Sequence, residues 1–280
     1  MSTLANIVLI LLWVGGSIAL VLGTCTLARR LMPPPAGYAD PEGNHYPGSV
    51  REMAAASGFR IAALYGIILA LVYAQELNDY QEVRAGLNRE ALAVAQVYHD
   101  AKRFGGEDAE QIQRGMASYA RLVVEREWEQ LSREQRLSPQ AWGMYDLVLE
   151  TVLDLQAQGP REDALRQRML TNMYRISDLR QLRKEQVADP IPWVFWLPAA
   201  FGMVVVSVPF FAFPARRETH VLLSCFGAFA GLILFLIHAF ANPYSQPLRV
   251  EPKPFQRLLQ TDMGREAALA PLPAMGGVSG

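Results

Sequence analysis

The sequence has few of the residues and motifs that mark secreted, metal-binding or nucleic-acid-binding proteins. Only two cysteines occur in 280 residues, Cys25 and Cys225, and no CxxC motif is present, so no disulfide framework is expected. The four histidines are scattered and lack the spacing of metal ligands. A formal net charge of −1 gives no overall attraction to nucleic acid. We therefore expect no metal, no cofactor and no nucleic-acid partner.

Motifs of the common enzyme classes are missing as well. The sequence contains no P-loop, no nucleophile elbow, no HExxH motif and no dinucleotide-binding glycine motif. Glu125, Glu127 and Glu129 lie around Trp128, but alternate residues do not share a helix face, so a catalytic pair is not expected. We interpret these glutamates as a solvated face beside a buried tryptophan. We expect no catalytic residue and do not expect an enzyme.

Charged residues are almost absent from four apolar windows, although they make up 19% of the sequence. The windows span residues 4–27, 53–77, 190–214 and 220–241. As helices rising about 1.5 Å per residue, they are long enough to cross a hydrocarbon core of about 30 Å. Arg60 lies near the start of the second window, where its side chain can reach the membrane interface. The sequence predicts an all-α integral membrane protein with four transmembrane helices in two hairpins, residues 1–77 and 190–241.

The first window has two rival interpretations. A cleaved signal peptide fits poorly, because no Lys or Arg precedes the window, the apolar run is long, and no Ala-x-Ala site follows. A lipoprotein site at Cys25 is poorly supported, since Thr24 precedes it rather than Gly or Ala. We expect the window to remain as a membrane helix of a multi-pass protein.

Basic residues give conflicting indications of membrane orientation. The short loops within the two hairpins contain Arg29, Arg30, Arg51, Arg216 and Arg217. The positive-inside rule places these loops in the cytoplasm. Basic residues on the opposite side of the membrane, around Arg183 and Lys253, favour the reverse orientation. Both orientations therefore stay open.

Small residues recur at four-residue spacing in two of the windows. They are Ala62, Gly66 and Ala70 in the second window, and Gly227 and Gly231 in the fourth. Small side chains at this spacing let helices approach closely in lipid. We predict that these are helix-packing positions in the bilayer.

The polar segment 78–189 separates the two hairpins. It is rich in Glu, Gln, Arg, Ala and Leu, a composition that favours helix. Gly105-Gly106, Ser138-Pro139 and Gly159-Pro160 predict breaks between helices. We expect a helical bundle continuous with the second window, with helices to about residue 104 and over 107–137, 139–158 and 161–186. The C-terminal extension, residues 242–280, is expected to be partly disordered.

Several short patterns occur in a particular order along the chain. They are Glu90-Ala91-Leu92-Ala93, Tyr119 followed by Glu127-Trp128, Arg180 ahead of Pro192-Trp193, and Asn242-Pro243-Tyr244 followed by Phe255. In this order and spacing, over about residues 5–260, the sequence resembles the bestrophin-like family of bacterial and plant membrane proteins. One position departs from the family pattern: Gln246 stands where the family usually has Gly, which puts a tight turn there in doubt.

The resemblance implies the same two-hairpin layout and a distant similarity to bestrophins, which are pentameric anion channels with a pore lined by the second membrane helix. It implies a homo-oligomer, a pentamer by analogy, that conducts inorganic anions. The pore candidates on the second window are Arg60, Ile61, Ile68, Val72 and Gln75. Arg60 is equally well interpreted as an interfacial anchor.

The alternative function is a non-conducting membrane scaffold or sensor whose helical bundle binds a partner protein. The size of the bundle and the lack of a clearly polar pore lining favour this alternative. Recovery of the protein as a ring of identical copies would favour the channel instead.

Overall fold

The computed structural model describes residues 3–35, 46–134, 136–188 and 195–269. Within these ranges every regular element is helical. The helices are α1 (Thr3–Leu31), α2 (Gly48–Phe104), α3 (Glu107–Leu122), a π-helix (Val123–Glu127), α4 (Trp128–Glu134), α5 (Pro139–Asp154), α6 (Pro160–Ala188), α7 (Trp196–Ser207), a 3₁₀ helix (Val208–Ala212), α8 (Arg217–Phe240), α9 (Lys253–Leu258) and α10 (Asp262–Leu269). The all-α fold class predicted from the sequence is confirmed for the described residues.

The chain divides into two compact units. Unit 1 contains Met1–Tyr80, Ile191–Asn242 and Gln246–Leu248. Unit 2 contains Gln81–Pro190, Pro243–Ser245 and Arg249–Gly280. The helix α2 contributes its first part to unit 1 and its second part to unit 2.

Unit 1 holds the apolar helices. Three helices are long and apolar enough to cross a membrane: Leu4–Leu31, Gly48–Phe104 and Arg217–Phe240. The third predicted window contains a shorter apolar helix, Trp196–Ala212, and its first residues, including Trp193, lie outside the described residues. The core of unit 1 is built from side chains such as Val21 of α1, Leu69 of α2, Met203 of α7 and Leu234 of α8.

The helices α1 and α8 pack closely because two glycines lie between them. A Cβ atom on Gly227 would lie 3.0 Å from the backbone Cα of Ile18. A Cβ atom on Gly231 would lie 2.7 Å from Ser17 Oγ and 2.9 Å from the Trp13 carbonyl oxygen. Small residues therefore permit this helix pair to form, as is common for helices in lipid.

The helix α2 is 57 residues long and continues without interruption from the apolar window into the polar segment. It contains no proline, so its backbone hydrogen bonds can run unbroken. It ends at Phe104, before Gly105 and Gly106, which have φ values of 78° and 89°. Residues with a side chain rarely adopt this left-handed backbone conformation, whereas glycine does so readily. The glycine pair therefore ends the helix where the sequence predicts a break.

Unit 2 is a helical bundle with its own core. Ile112 and Met116 of α3 and Val152 of α5 are fully buried. Val148 of α5 packs directly over Gly115 of α3, where a Cβ atom would lie 2.3 Å from its methyl group. Ser138 caps α5 by accepting a hydrogen bond from the Ala141 amide at 3.4 Å. The predicted cap and first-turn proline of this helix are confirmed.

Two helix ends differ from the sequence prediction by three residues or more. The predicted helix 107–137 is interrupted by the π-helix Val123–Glu127, and α4 ends at Glu134. The helix α5 ends at Asp154, four residues earlier than predicted. The predicted C-terminal extension contains the helices α9 and α10, and its last residues, 270–280, lie outside the described residues.

Candidate functional site

The pore candidates on α2 do not share one face of the helix. Ile61 and Val72 are half-buried and pack against the core of unit 1. Arg60, Ile68 and Gln75 are exposed, and Gln75 donates a hydrogen bond to Asp79 at 2.9 Å on the next turn. The structure therefore removes Ile61 and Val72 from any continuous exposed surface, because their side chains fill the core of their own unit.

The small-residue ridge on α2 also winds around the helix. Ala62 is half-buried against the core, whereas Gly66 and Ala70 are exposed. A Cβ atom on Gly66 would meet nothing within 4 Å. Residues four apart on an α-helix advance about 40° per step, so a row at this spacing drifts from the buried side to the exposed side. Among the residues that the structure describes, Gly66 and Ala70 therefore lie away from the core of unit 1, and their role in helix packing stays a prediction.

An exposed stripe runs along α2 opposite its buried face. We call it the outer stripe, and it consists of Arg60, Leu64, Ile67, Leu71 and Asn78. These residues recur at intervals of three, four and seven positions, which keeps them on one side of an α-helix. The three apolar members are 58–66% exposed in the single chain. The sequence alone did not identify these residues as the exposed ones, because this window is apolar on every side of the helix.

A buried network in unit 2 collects several residues of the family pattern. Glu127 accepts hydrogen bonds from Arg180 Nη2 at 2.5 Å, from Arg183 Nη1 at 2.5 Å and from the Ser138 amide at 3.1 Å. Arg180 Nη2 also donates to the Ser138 carbonyl oxygen at 2.9 Å. Two guanidinium groups from α6 thus converge on one carboxylate at the end of the π-helix.

Glu90 and Tyr119 extend this network to α2 and α3. The Tyr119 hydroxyl donates to Glu90 Oε1 at 2.6 Å and accepts from Arg180 Nη1 at 3.2 Å. Arg183 forms a second ion pair with Glu90. We call Glu90, Tyr119, Glu127, Arg180 and Arg183 the buried ionic cluster. It joins α2, α3, the π-helix and α6 within unit 2.

The buried ionic cluster is formally neutral, with two carboxylates and two guanidinium groups. Its four charged side chains are at most 4% exposed. Burial raises the pKa of Glu127, and the charge of Arg180 opposes this effect. Burial also raises the pKa of Tyr119 to about 12. The phenol therefore keeps its proton and donates a hydrogen bond to Glu90. Such pairing is what makes buried charges tolerable.

Aromatic rings surround the cluster. The Arg180 guanidinium carbon lies 5.7 Å from the centre of the Tyr119 ring and 5.5 Å from that of Trp142. The Arg183 guanidinium carbon lies 5.3 Å from the centre of the Trp128 ring. These distances allow cation–π attraction, which adds to the ion pairs where water is excluded.

The interpretation of Glu127 as part of a solvated face was wrong. Glu125 and Glu129 are exposed, as predicted, but Glu127 is fully buried. Glu127 lies in the π-helix, where an additional residue per turn changes which side chains face the core. Glu127 and Trp128, which are consecutive, consequently both point inward.

Trp128 fixes the segment that follows α8. Its indole Nε1 donates to the Val250 carbonyl oxygen at 2.7 Å, and Arg249 donates to the Trp128 carbonyl oxygen at 3.1 Å. The Val250 amide in turn donates to the Pro243 carbonyl oxygen at 2.7 Å. The Gln246–Pro247 peptide bond within this turn is cis. The chain therefore turns here without the glycine that the family pattern usually has.

A small cavity of about 20 Å³ adjoins Glu90, Arg183 and Tyr244. This volume is sufficient for one water molecule. Burial raises the pKa of Tyr244 to about 12, and its phenol is therefore neutral. Within the described ranges no group of His, Cys, Asp and Glu is arranged to hold a metal ion.

Sequence reasoning missed Arg183 and the backbone of Ser138 as partners of Glu127. A signal for Arg183 was present, since residues 180 and 183 are three apart and share a face of α6. No local pattern predicts that this face of α6 meets the π-helix.

Three comparisons with known proteins bear on this architecture. Residues 50–255 match the model of the bestrophin-like domain. No curated protein matches the sequence significantly. The fold is similar to that of a bacterial bestrophin homologue from Klebsiella pneumoniae, in crystal structures of two single-residue variants. Each has a TM-score of 0.62 and 11% identity and covers 94% of this chain, with 97% and 99% of the homologue covered. A crystal structure of a membrane-protein variant has a TM-score of 0.61 at 12% identity. The match covers 95% of this chain and 99% of the chain in that crystal structure.

Proposed function

The chain belongs to the bestrophin-like family, and from this membership we propose that it forms a homo-oligomeric membrane channel for inorganic anions. The observation that carries the proposal is the outer stripe of α2. A helix in the middle of a chain exposes a row of large apolar side chains, with an arginine at one end and an asparagine at the other. Such a row must face lipid, another copy of the chain, or a pore.

The proposed topology has four membrane crossings in two hairpins. The helix α7 and the 3₁₀ helix after it together comprise Trp196–Ala212. At about 1.5 Å per α-helical residue and 2.0 Å per 3₁₀ residue, they reach roughly 28 Å, close to the thickness of a hydrocarbon core. This length supports a fourth crossing beside the three longer helices. A bacterial inner membrane is the proposed location.

The proposed pore wall is the outer stripe, repeated around a symmetry axis in a ring of copies. Leu64, Ile67 and Leu71 would form apolar rings, which can close a pore to ions by excluding water. Arg60, one turn before Leu64, would raise the local concentration of anions at one mouth. A pentamer is proposed by analogy with bestrophins, since a ring of identical chains would cover the exposed α2 face.

Reconstitution of the purified protein in planar bilayers tests the proposal. We expect chloride current, and we expect Leu71→Ala to increase it because a smaller side chain widens the apolar ring. The matched control is Leu222→Ala on α8, which removes a side chain with the same 66% exposure from a different helix. Arg60→Glu should reduce the preference for chloride over potassium.

Imaging of the detergent-solubilised particle provides the second test. A ring with α2 around its axis is expected. A monomer or dimer that passes no chloride at any tested voltage or pH would overturn the channel proposal and favour a scaffold that binds a partner protein.

A further inference from the structure

A groove on the surface of unit 1 runs along α8 beside Ile18 of α1. Its volume is about 370 Å³. One face of α8 lines it, with Arg217, His220, Val221, Cys225 and Ala228. The spacing of three, four, seven and eight residues keeps these side chains on one side of the helix. The lining residues of α8 therefore form one continuous strip along the helix.

The length of the groove corresponds to one leaflet of a bilayer. From Arg217 to Ala228 the helix rises by about 16 Å, at 1.5 Å per residue. Half of a hydrocarbon core of about 30 Å is a similar length. Below the first turn the lining is apolar except for the hydroxyl of Ser224, and Val221 is 52% exposed. An acyl chain of a single leaflet therefore fits the groove from end to end.

The two ends of the groove differ in polarity. Arg217 and His220 lie at the start of α8, where the apolar span Arg217–Phe240 begins. The nearby end of α1 is tied to the same region, because Arg29 Nη2 donates to the Phe213 carbonyl oxygen at 3.2 Å. His220 Nδ1 lies 2.8 Å from the Arg216 carbonyl oxygen, to which it donates.

We propose that this groove binds an anionic phospholipid, with its phosphate at Arg217 and one acyl chain along Val221, Cys225 and Ala228. A guanidinium group binds phosphate oxygens in pairs, and the apolar lining matches the chain below it. Glu218 is the acidic residue next to the basic end, but it does not line the groove. The charge within the groove therefore favours an anionic headgroup over a zwitterionic one. The proposal needs only the membrane setting and does not depend on ion conduction.

Cys225 provides a probe inside the groove. It is exposed, whereas Cys25, the other cysteine of the described structure, is buried, so a bimane fluorophore can be attached at Cys225 in the native chain. The labelled full-length protein is placed in vesicles of equal parts phosphatidylglycerol and phosphatidylcholine. In one sample the phosphatidylglycerol has brominated chains, and in the other the phosphatidylcholine has them. Bromine quenches bimane only in close contact, so the ratio of quenching reports which lipid occupies the groove.

We expect brominated phosphatidylglycerol to quench about five times more effectively, the preference that one basic side chain near anionic lipid provides. Arg217→Gln should lower the ratio towards one. Arg30→Gln is the matched control, since it removes an equal charge at the end of α1 from outside the groove. If Arg217→Gln fails to fold, Arg217→Lys replaces it and should keep a reduced preference.

A second label position tests whether the preference belongs to the groove. Bimane at Leu222→Cys, in a Cys225→Ser background, lies on an exposed part of α8 outside the groove and should show a ratio near one. Equal quenching by both lipids at Cys225 would overturn the proposal, because ordinary surrounding lipid would then fill the groove. Quenching by neither lipid would also overturn it and would assign the groove to contact with a second copy of the chain.

Discussion

Replacement of Glu127 by glutamine tests whether the buried ionic cluster holds unit 2 together. The change keeps the size of the side chain and removes one negative charge from a cluster with two guanidinium groups and two carboxylates. An amide has one acceptor oxygen, so one of the three donors around it, Arg180 Nη2, Arg183 Nη1 or the Ser138 amide, loses its acceptor. A net positive charge then remains buried.

Removal of one partner from a buried ion pair costs about 3 kcal/mol or more, because the remaining charge is left without compensation. For a chain of this size, 1 kcal/mol changes the melting temperature by about 2–4 °C. We therefore expect Glu127→Gln to lower the melting temperature by roughly 6–12 °C, on the basis of these two relations. The measurement is thermal unfolding of the detergent-solubilised protein, followed by size-exclusion chromatography.

Glu129→Gln is the matched control, two residues further along the same segment. Glu129 pairs with Arg133 at 3.1 Å, and its side chain is 60% exposed. A surface pair of this kind contributes less than about 0.5 kcal/mol, so little change is expected. Equal shifts for Glu127→Gln and Glu129→Gln would refute the reasoning.

A double variant separates charge from packing. Adding Arg183→Gln to Glu127→Gln restores neutrality, with Arg180 and Glu90 as the remaining charges. We expect the double variant to be less destabilised than the sum of the single variants, by about 1–3 kcal/mol, as for residues in direct contact. Simple additivity would show that the two side chains act independently.

Two further outcomes are expected. Gly231→Ala should destabilise the protein by about 1–3 kcal/mol, because the new Cβ atom would lie 2.7 Å from Ser17 Oγ and the α1 backbone cannot move away. Gly23→Ala, whose new Cβ atom would meet nothing within 4 Å, is the control in the same thermal assay. Raising the pH from 10 towards 12 should reduce stability, since the pKa values of Tyr119 and Tyr244 rise from 10.0 to about 12 on folding and the unfolded chain releases these protons first. Melting curves at stepwise increasing pH check this direction. Tyrosinate absorbance of the folded protein near pH 10 that disappears in the Tyr119→Phe or Tyr244→Phe variant would contradict it.

The helical elements could be predicted because their signals are local. A long apolar run excludes charged side chains whatever lies elsewhere in the chain. The three long apolar helices, the break at Gly105-Gly106 and the Ser138 cap could therefore be predicted from the sequence. The family pattern also marked Glu90, Tyr119, Glu127 and Arg180 before their contacts were known. Order and spacing revealed these residues, although they did not show that the four side chains meet.

The meeting of these side chains depended on tertiary structure. Glu127 and Arg180 are 53 positions apart, and their pairing requires a π-helix that turns two consecutive side chains inward. Burial of a charge is favourable only where partners from other helices converge, and no local pattern encodes that convergence.

The faces of α2 were also decided by tertiary packing. Its membrane window is apolar on every side, so hydropathy identified the helix but did not distinguish Ile61 and Val72, which fill the core, from Leu64, Ile67 and Leu71, which remain exposed. The sequence by itself determined that this segment is a helix suited to lipid. Which of its sides could line a pore was decided by the helices that pack against it, because burial is a property of neighbours and not of the residue alone.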